Sequence, residues 1–256
     1  MGDEMTPARP TAIVTGGASG IGLAISERLA RDGSPVSVLD LDGGAAEAAA
    51  GRIRAAGGPA IGLPVDVSNR GQVDDAVART RSELGPVLVL VNCAGMDAFT
   101  RFVDISTELW ERVLSVNLTG TFHCTQAALP DMIDRRWGRI VNISSSSGQT
   151  GAVHMAHYAS SKAGMIGLTK ALALELGPLG ITVNTIPPGS IDTPMSRRSA
   201  DEGRFGGGTL DDIARHLPVR RIGTPEDIAA ACAYLVSDEA GYVTGQIIGV
   251  NGGRVT

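Results

Sequence analysis

Residues 15–22, "TGGASGIG", decide how the rest of this chain folds. They follow a short β-branched run, "TAIVT" (11–15), and lead into residues 21–31, where Ile21, Ile25 and Leu29 recur at helical spacing. Strand, glycine turn and helix in direct succession make a crevice where free N–H groups and the positive end of a helix dipole can meet an anion. Gly16, Gly20 and Gly22 leave room for a pyrophosphate to approach, and Ser19 and Ile21 complete the loop. The spacing is T-G-x-x-x-G-x-G, not G-x-G-x-x-G, so the position between strand and helix carries the reading. Asp40 ends the next apolar run, 18 residues beyond Gly22. A carboxylate there can accept hydrogen bonds from both ribose hydroxyls of an adenosine, and it repels a 2′-phosphate. No Lys or Arg lies in "LDLDGG" (39–44), so the expected cofactor is NAD rather than NADP.

Outward from this unit the alternation repeats. Apolar runs recur at 35–40, 59–66, 87–92, 139–144, 181–186 and 246–250, most of them continuous in the manner of parallel strands covered on both faces. Helical stretches fall between them at about 44–56, 70–84, 107–135, 157–177 and 225–236. Ser68, Ser106 and "TPED" (224–227), with Pro225 at the first helical position, mark helix starts. The expectation is a single α/β domain over residues 11–256: a Rossmann-type, doubly wound, seven-stranded parallel sheet with helices on both faces. Residues 1–10 are expected to be a flexible lead. Residues 196–218, with "GGG" at 206–208, are too long for an ordinary connection and suit a substrate loop.

Composition narrows the function class. The chain has 256 residues, 43% of them hydrophobic, and a net charge of −5 without a basic block, which argues against a nucleic-acid partner. No apolar run reaches the ~18 residues of a membrane span, and the acidic start is unlike a secretory signal, so a cytoplasmic protein is expected. Cys93, Cys124 and Cys232 lie far apart in apolar settings, as small buried side chains do. No metal-ligand spacing occurs, and no metal is expected.

The second informative stretch is "NISSSSGQTGAVHMAHYASSK" (142–162). Tyr158 and Lys162 are four residues apart in a helical segment and so share one face. A lysine cation and the positive ring of an oxidised nicotinamide would both favour the phenolate, which makes Tyr158 a general acid/base for a hydroxyl/carbonyl pair. His154 and His157 flank the site, with loop polarity or a cap the plainer reading. Physical reasoning narrows the serines only to the strand end, Ser144 to Ser147. At the nucleotide end, Asp66-Val67 closes the third run beside the expected adenine. "NCAG" (Asn92, Cys93, Ala94, Gly95) closes the fourth, with Gly95 permitting close approach of the chain.

These motifs together resemble the short-chain dehydrogenase/reductases, from "TGGASGIG" through "NCAG", "VNLTG" (116–120), "IVNISSSSG" (140–148), "YASSK" (158–162) and "PPGSIDTPM" (187–195) to "TGQIIGVNGG" (244–253). The resemblance implies Tyr158 as acid/base and Lys162 as holder of the nicotinamide ribose. It implies Asn117 as the anchor of a water in a proton relay, and Ser145, thirteen residues before Tyr158, as the group that orients the substrate oxygen. Pro188, Gly189, Ile191 and Thr193 would line the nicotinamide. The common second Asn of N-N-A-G is Cys93 here, expected to face the core. "GMDAF" (95–99) and residues 105–123 are similar to 2-hydroxycyclohexanecarboxyl-CoA dehydrogenases, with a 3-oxoacyl-thioester or 3-oxoacyl-[acyl-carrier-protein] reductase as the alternative. The expected substrate is a hydroxyacyl-CoA or cyclic secondary alcohol and its ketone, in a pocket built from 96–102, 148–157 and 196–218. A complete Ser/Tyr/Lys set argues against a non-catalytic NAD sensor. Family members commonly form homotetramers through the two long helices and the last strand.

Overall fold

The computed structural model describes residues 9–203 and 209–256. Six parallel strands form one sheet: β1 (Thr11–Thr15), β2 (Val36–Asp40), β3 (Ala60–Pro64), β4 (Val87–Asn92), β5 (Gly138–Ile143) and β6 (Ile181–Ile186), in the order β3-β2-β1-β4-β5-β6. The helices are α1 (Gly20–Arg31), α2 (Gly43–Ala55), α3 (Arg70–Leu84), α4 (Thr107–Leu114), α5 (Gly120–Arg135), α6 (Ser147–Thr150), α7 (Ala156–Leu176), α8 (Pro194–Asp201), α9 (Leu210–His216) and α10 (Pro225–Leu235).

Alternate residues of each strand feed opposite cores, as the period-two geometry of a strand requires. Ala12, Val14, Val36, Val38, Val89 and Val91 pack with α1, α2 and α10 through Ile25, Leu29, Ala46, Ile53, Ile228 and Cys232. Ile13, Leu39, Leu90 and Ile140 face the other way, toward α3, α5 and α7 through Val73, Val77, Cys124, Met132 and Leu176. Each fully buried Ile or Leu contributes ~1.5–3 kcal/mol of transfer free energy, so a strand apolar on both faces anchors two layers. Chain order reverses between β1 and β4, and ligands of open parallel sheets bind in the crevice beyond that point.

The expected seventh strand does not form. Residues 246–250 run beside the end of β6 only as isolated bridges, Thr185 with Ile247 and Pro188 with Val250. Thr185 N–H donates to Gln246 O and Gly189 N–H to Val250 O. The rung between them falls at Pro187, which has no N–H to give, so the ladder breaks there.

The long helix expected over 107–135 is interrupted by a π-helical turn at Ser115–Thr119, which carries Asn117. Ser106 caps α4 and Pro225 opens α10, as expected. The cap of α3 is Asn69 rather than Ser68, because the Ser68 hydroxyl is held by Asp66 Oδ1 at 2.6 Å. The long excursion at 196–218 contains most of α8, whose capping box opens at Thr193, and all of α9, capped by Thr209, so much of it is helical and not an irregular loop. The lead at 1–8 and the "GGG" at 206–208 lie outside the described residues.

Candidate active site

A cleft of about 1390 Å³ opens at the C-terminal ends of the strands. Its nucleotide end is built from tight backbone. Gly16 has φ +61°, and a Cβ there would stand 2.8 Å from Ala94 Cα, so only glycine lets the β1 turn meet the end of β4. A Cβ on Gly22 would lie 2.0 Å from Gly16 O. Ser19, the N-cap of α1, makes no side-chain cap hydrogen bond, and no acidic residue sits in the first turn. The N–H groups of that turn therefore face the cleft without an internal anion, which fits a pyrophosphate. Asp40 closes the wall: Ala18 N–H donates to its Oδ2 at 3.1 Å and Asp42 N–H to its Oδ1 at 3.2 Å. Lone pairs remain on both oxygens. Asp66 carries a carboxyl held below its usual range, first by the Ser68 hydroxyl and less by Arg112.

At the reactive end, the four serines that physical reasoning left equivalent, and among which the resemblance chose Ser145, part company. Ser144 is buried, and its Oγ accepts from Thr185 Oγ1 at 2.9 Å. Ser146 is buried with its N–H on Pro188 O, and Ser147 enters α6. Of the four, Ser145 hydrogen-bonds the Tyr158 side chain. Ser147 N–H donates into Ser145 Oγ at 3.1 Å, which leaves the Ser145 O–H to point toward the phenol.

Lys162 is 4% exposed, donates from Nζ to Ile143 O at 2.8 Å, and lies 5.8 Å from the Tyr158 ring centre. Burial pushes its ammonium down to about 8. Burial pushes the Tyr158 phenol up to about 12, with Ser145 working against that shift and Asp97 adding to it. The direction is opposite to the phenolate-favouring effect expected from Lys162, because withdrawal from water outweighs a cation beside the ring. Asn117 is fully buried. Its Oδ1 accepts Met96 N–H at 2.9 Å, and its Nδ2 donates to Met96 O and Ser161 Oγ, both at 3.0 Å. Both amide protons are thus taken, and the side chain braces the loop after β4 against α7.

Of the residues singled out in the sequence, Gly16, Ser19, Gly20, Ile21, Gly22, Asp40, Asp66, Val67, Ala94, Gly95, Ser145, Tyr158, Lys162, Pro188, Gly189, Ile191 and Thr193 line this one cleft. Asn117 stands behind it. Asn92 is turned away: its Nδ2 donates to Asn142 Oδ1 at 2.9 Å and to Thr125 Oγ1 at 3.2 Å. The Thr193 hydroxyl accepts Ser196 N–H and caps α8. Cys93, expected to face the core, packs against it and also lines the cleft, its thiol pushed up to about 12 by burial. His154 is exposed and His157 fully buried, and neither lines the cleft.

Arg198 and Ser199 fall in the 196–218 stretch expected to build the substrate pocket, whereas two cleft residues were not singled out in the sequence: Arg112 and Arg254. Arg112 sits unremarked inside 105–123 and Arg254 just past the last motif, and both reach the cleft through tertiary packing. Among the described residues no group of three His, Cys, Asp or Glu side chains is placed to hold a metal. No helix among them is long and apolar enough to cross a membrane.

The chain is similar to known proteins over nearly its whole length. The profile of the family described as enoyl-(acyl carrier protein) reductase matches residues 16–254. An acetoacetyl-CoA reductase of Allochromatium vinosum is 40% identical over 94% of this chain and 97% of its own. The (2S)-[(R)-hydroxy(phenyl)methyl]succinyl-CoA dehydrogenase subunit BbsD of Thauera aromatica is 38% identical over 95% of both chains. A tryptophan-substituted actinorhodin polyketide ketoreductase, solved with NADPH, superposes with a TM-score of 0.92 at 38% identity, covering 95% of this chain and 96% of that one.

Proposed function

Because this chain belongs to the short-chain dehydrogenase/reductase family, we propose that it transfers hydride between NAD(H) and the hydroxyl or keto carbon of an acyl thioester. The observation that carries this reading is the grouping of Ser145, Tyr158 and Lys162 in the glycine-walled cleft. The nicotinamide, when bound, supplies or accepts the hydride. The chain's own residues manage position and protons. The α1 N-terminus and Gly16–Gly22 hold the pyrophosphate, Asp40 the adenosine ribose, and Pro188, Gly189 and Ile191 the nicotinamide end. Ser145 donates to the substrate oxygen. Tyr158 gives its proton to that oxygen in reduction and takes it back in oxidation. Lys162, fixed by Ile143 O, sets the local charge, and Asn117 braces the wall beside it.

Acetoacetyl-CoA reduction and hydroxyacyl-CoA oxidation by the two relatives support a thioester substrate. Asp40 favours NAD. The NADPH in the ketoreductase structure favours the alternative, a 3-oxoacyl-[acyl-carrier-protein] reductase type that uses NADP. A homotetramer suits the apolar side chains that α5 and α7 leave in solvent, Phe122, Ile133 and Leu174, the last 83% exposed.

Absorbance of the reduced nicotinamide over a panel of 3-oxoacyl and hydroxyacyl thioesters tests the reading. Turnover of these thioesters is expected, with NAD preferred. Tight cofactor binding without turnover of any secondary alcohol or ketone would overturn it. In Asp40→Ala the NAD/NADP ratio of kcat/KM should fall at least ~10-fold, the scale of one lost charge-assisted hydrogen bond. An unchanged ratio would count against the assigned role of Asp40. Ser145→Ala should cost ~10²-fold in kcat, the scale of an oxyanion-type donor. Ser144→Ala, Ser146→Ala and Ser147→Ala should each cost less, and a larger loss in any of them would move the role away from Ser145.

A further inference from the structure

The C-terminal tail contributes a cation to the cleft that the hydride-transfer chemistry does not use. Gly252 and Gly253 have φ +66° and +82°, and a Cβ on either would come within 2.8 Å of Val219 or Pro218. Asn251, 7% exposed, ties the turn from both sides: its Oδ1 accepts Gly253 N–H at 3.0 Å and its Nδ2 donates to Val255 O at 3.1 Å. The turn carries Arg254 into the cleft wall, where its guanidinium donates to Ser190 Oγ at 3.1 Å. Ser190 lies between two residues assigned to the nicotinamide end, Gly189 and Ile191. Through Ser190, Arg254 is tied to the segment assigned to the nicotinamide end.

Charge around it is uneven. Arg198, from α8, lines the same cleft, and neither guanidinium has an ion-pair partner among the described residues. The acidic groups on this side are engaged or placed elsewhere. Asp212 is tied to Arg215 and to the backbone of Thr209, and Asp97 accepts from Ser199 Oγ at 3.3 Å. Asp97 is close enough to Tyr158 to raise its phenol, so an anionic group on the reacting carbon itself would be repelled. An oxyanion further along the substrate meets Arg254 instead, whose planar fork suits a carboxylate or phosphate oxygen pair. The same cleft has apolar walls from Met155, Met195, Leu210, Ile213 and Leu217.

We propose that Arg254 is a specificity-determining residue that binds an oxyanion of the substrate, separated from the reacting carbon by an apolar stretch. This rests on the thioester reading above and narrows it to thioesters whose acyl chain ends in a carboxylate. The phosphates of a coenzyme A handle share that chemistry and are the other source of the anion. The test measures kcat/KM for four substrates: acyl chains of equal length ending in methyl or carboxylate, each as the coenzyme A and the N-acetylcysteamine thioester. In the native protein the carboxylate-ended chain should be preferred by ~10-fold or more on both handles. The preference should be lost in Arg254→Ala and partly retained in Arg254→Lys. A preference for coenzyme A over N-acetylcysteamine that Arg254→Ala abolishes, with the acyl terminus irrelevant, would assign the anion to the phosphates and overturn the acyl carboxylate. Turnover of all four with ratios unchanged by Arg254→Ala would overturn any anion-binding role. Turnover of none would instead count against the thioester reading.

Discussion

Tyr158→Phe is expected to lower kcat by ~10²–10⁴-fold, the contribution of a positioned general acid/base, while cofactor affinity and melting temperature stay near those of the native protein. The substitution removes one oxygen, whose described partner is Ser145, and leaves the ring packed beside Lys162. The pH dependence follows from the direction of the shift. A phenol pushed up to about 12 keeps its proton through neutral pH, so the acid needed for ketone reduction is present without activation. Alcohol oxidation needs the proton removed, so its rate should climb as pH approaches the phenol's own value, which the positive nicotinamide ring and Lys162 would bring down. Comparable activity in Tyr158→Phe, or oxidation that is flat with pH while chemistry limits the rate, would remove Tyr158 from the reaction.

Lys162→Met should lower kcat by ~10²-fold or more, and yet make the protein more stable at neutral pH. Lys162 is nearly inaccessible and its ammonium is pushed from 10.5 down to about 8. A depressed lysine value means that the unfolded chain binds more protons between those two limits. Native stability should therefore rise as pH goes from about 8 to about 10.5, and the full penalty for burying the cation applies below about 8. That penalty is on the order of 3 kcal/mol. Orphaning Ile143 O returns ~1–2 kcal/mol of it, so a net gain of about 1–2 kcal/mol is expected. Denaturant unfolding at pH 7 measures the difference. A variant less stable than the native protein would show that the Lys162–Ile143 contact outweighs the buried charge.

The two predictions pull apart activity and stability at one site, which is a common consequence of placing a charge where water is excluded. Loops and helix ends carry the same tension here. The π-helical turn at Ser115–Thr119 gives up regular helical bonding, and in return Asn117 reaches both Met96 and Ser161.

Local sequence determined much of this protein. Continuous apolar runs, two-sided strands and a glycine turn between strand and helix are short-range properties, and they were enough for the parallel α/β architecture and the nucleotide crevice. The four-residue step from Tyr158 to Lys162 is likewise a property of one helix. Tertiary structure decided what depends on partners distant in the chain. The seventh strand failed because Pro187, on a different segment, could not complete its ladder. Asn92, inside a family-like motif, turned inward because Asn142 and Thr125 offered it buried hydrogen bonds. Ser145 separated from Ser144 once Thr185 took the latter's hydroxyl. Arg254 has no periodicity or motif to announce it, and reaches the cleft only because two left-handed glycines pack its turn against Pro218 and Val219. Backbone period is written in neighbouring residues, whereas the direction in which a polar side chain points is set by whichever buried group can satisfy it.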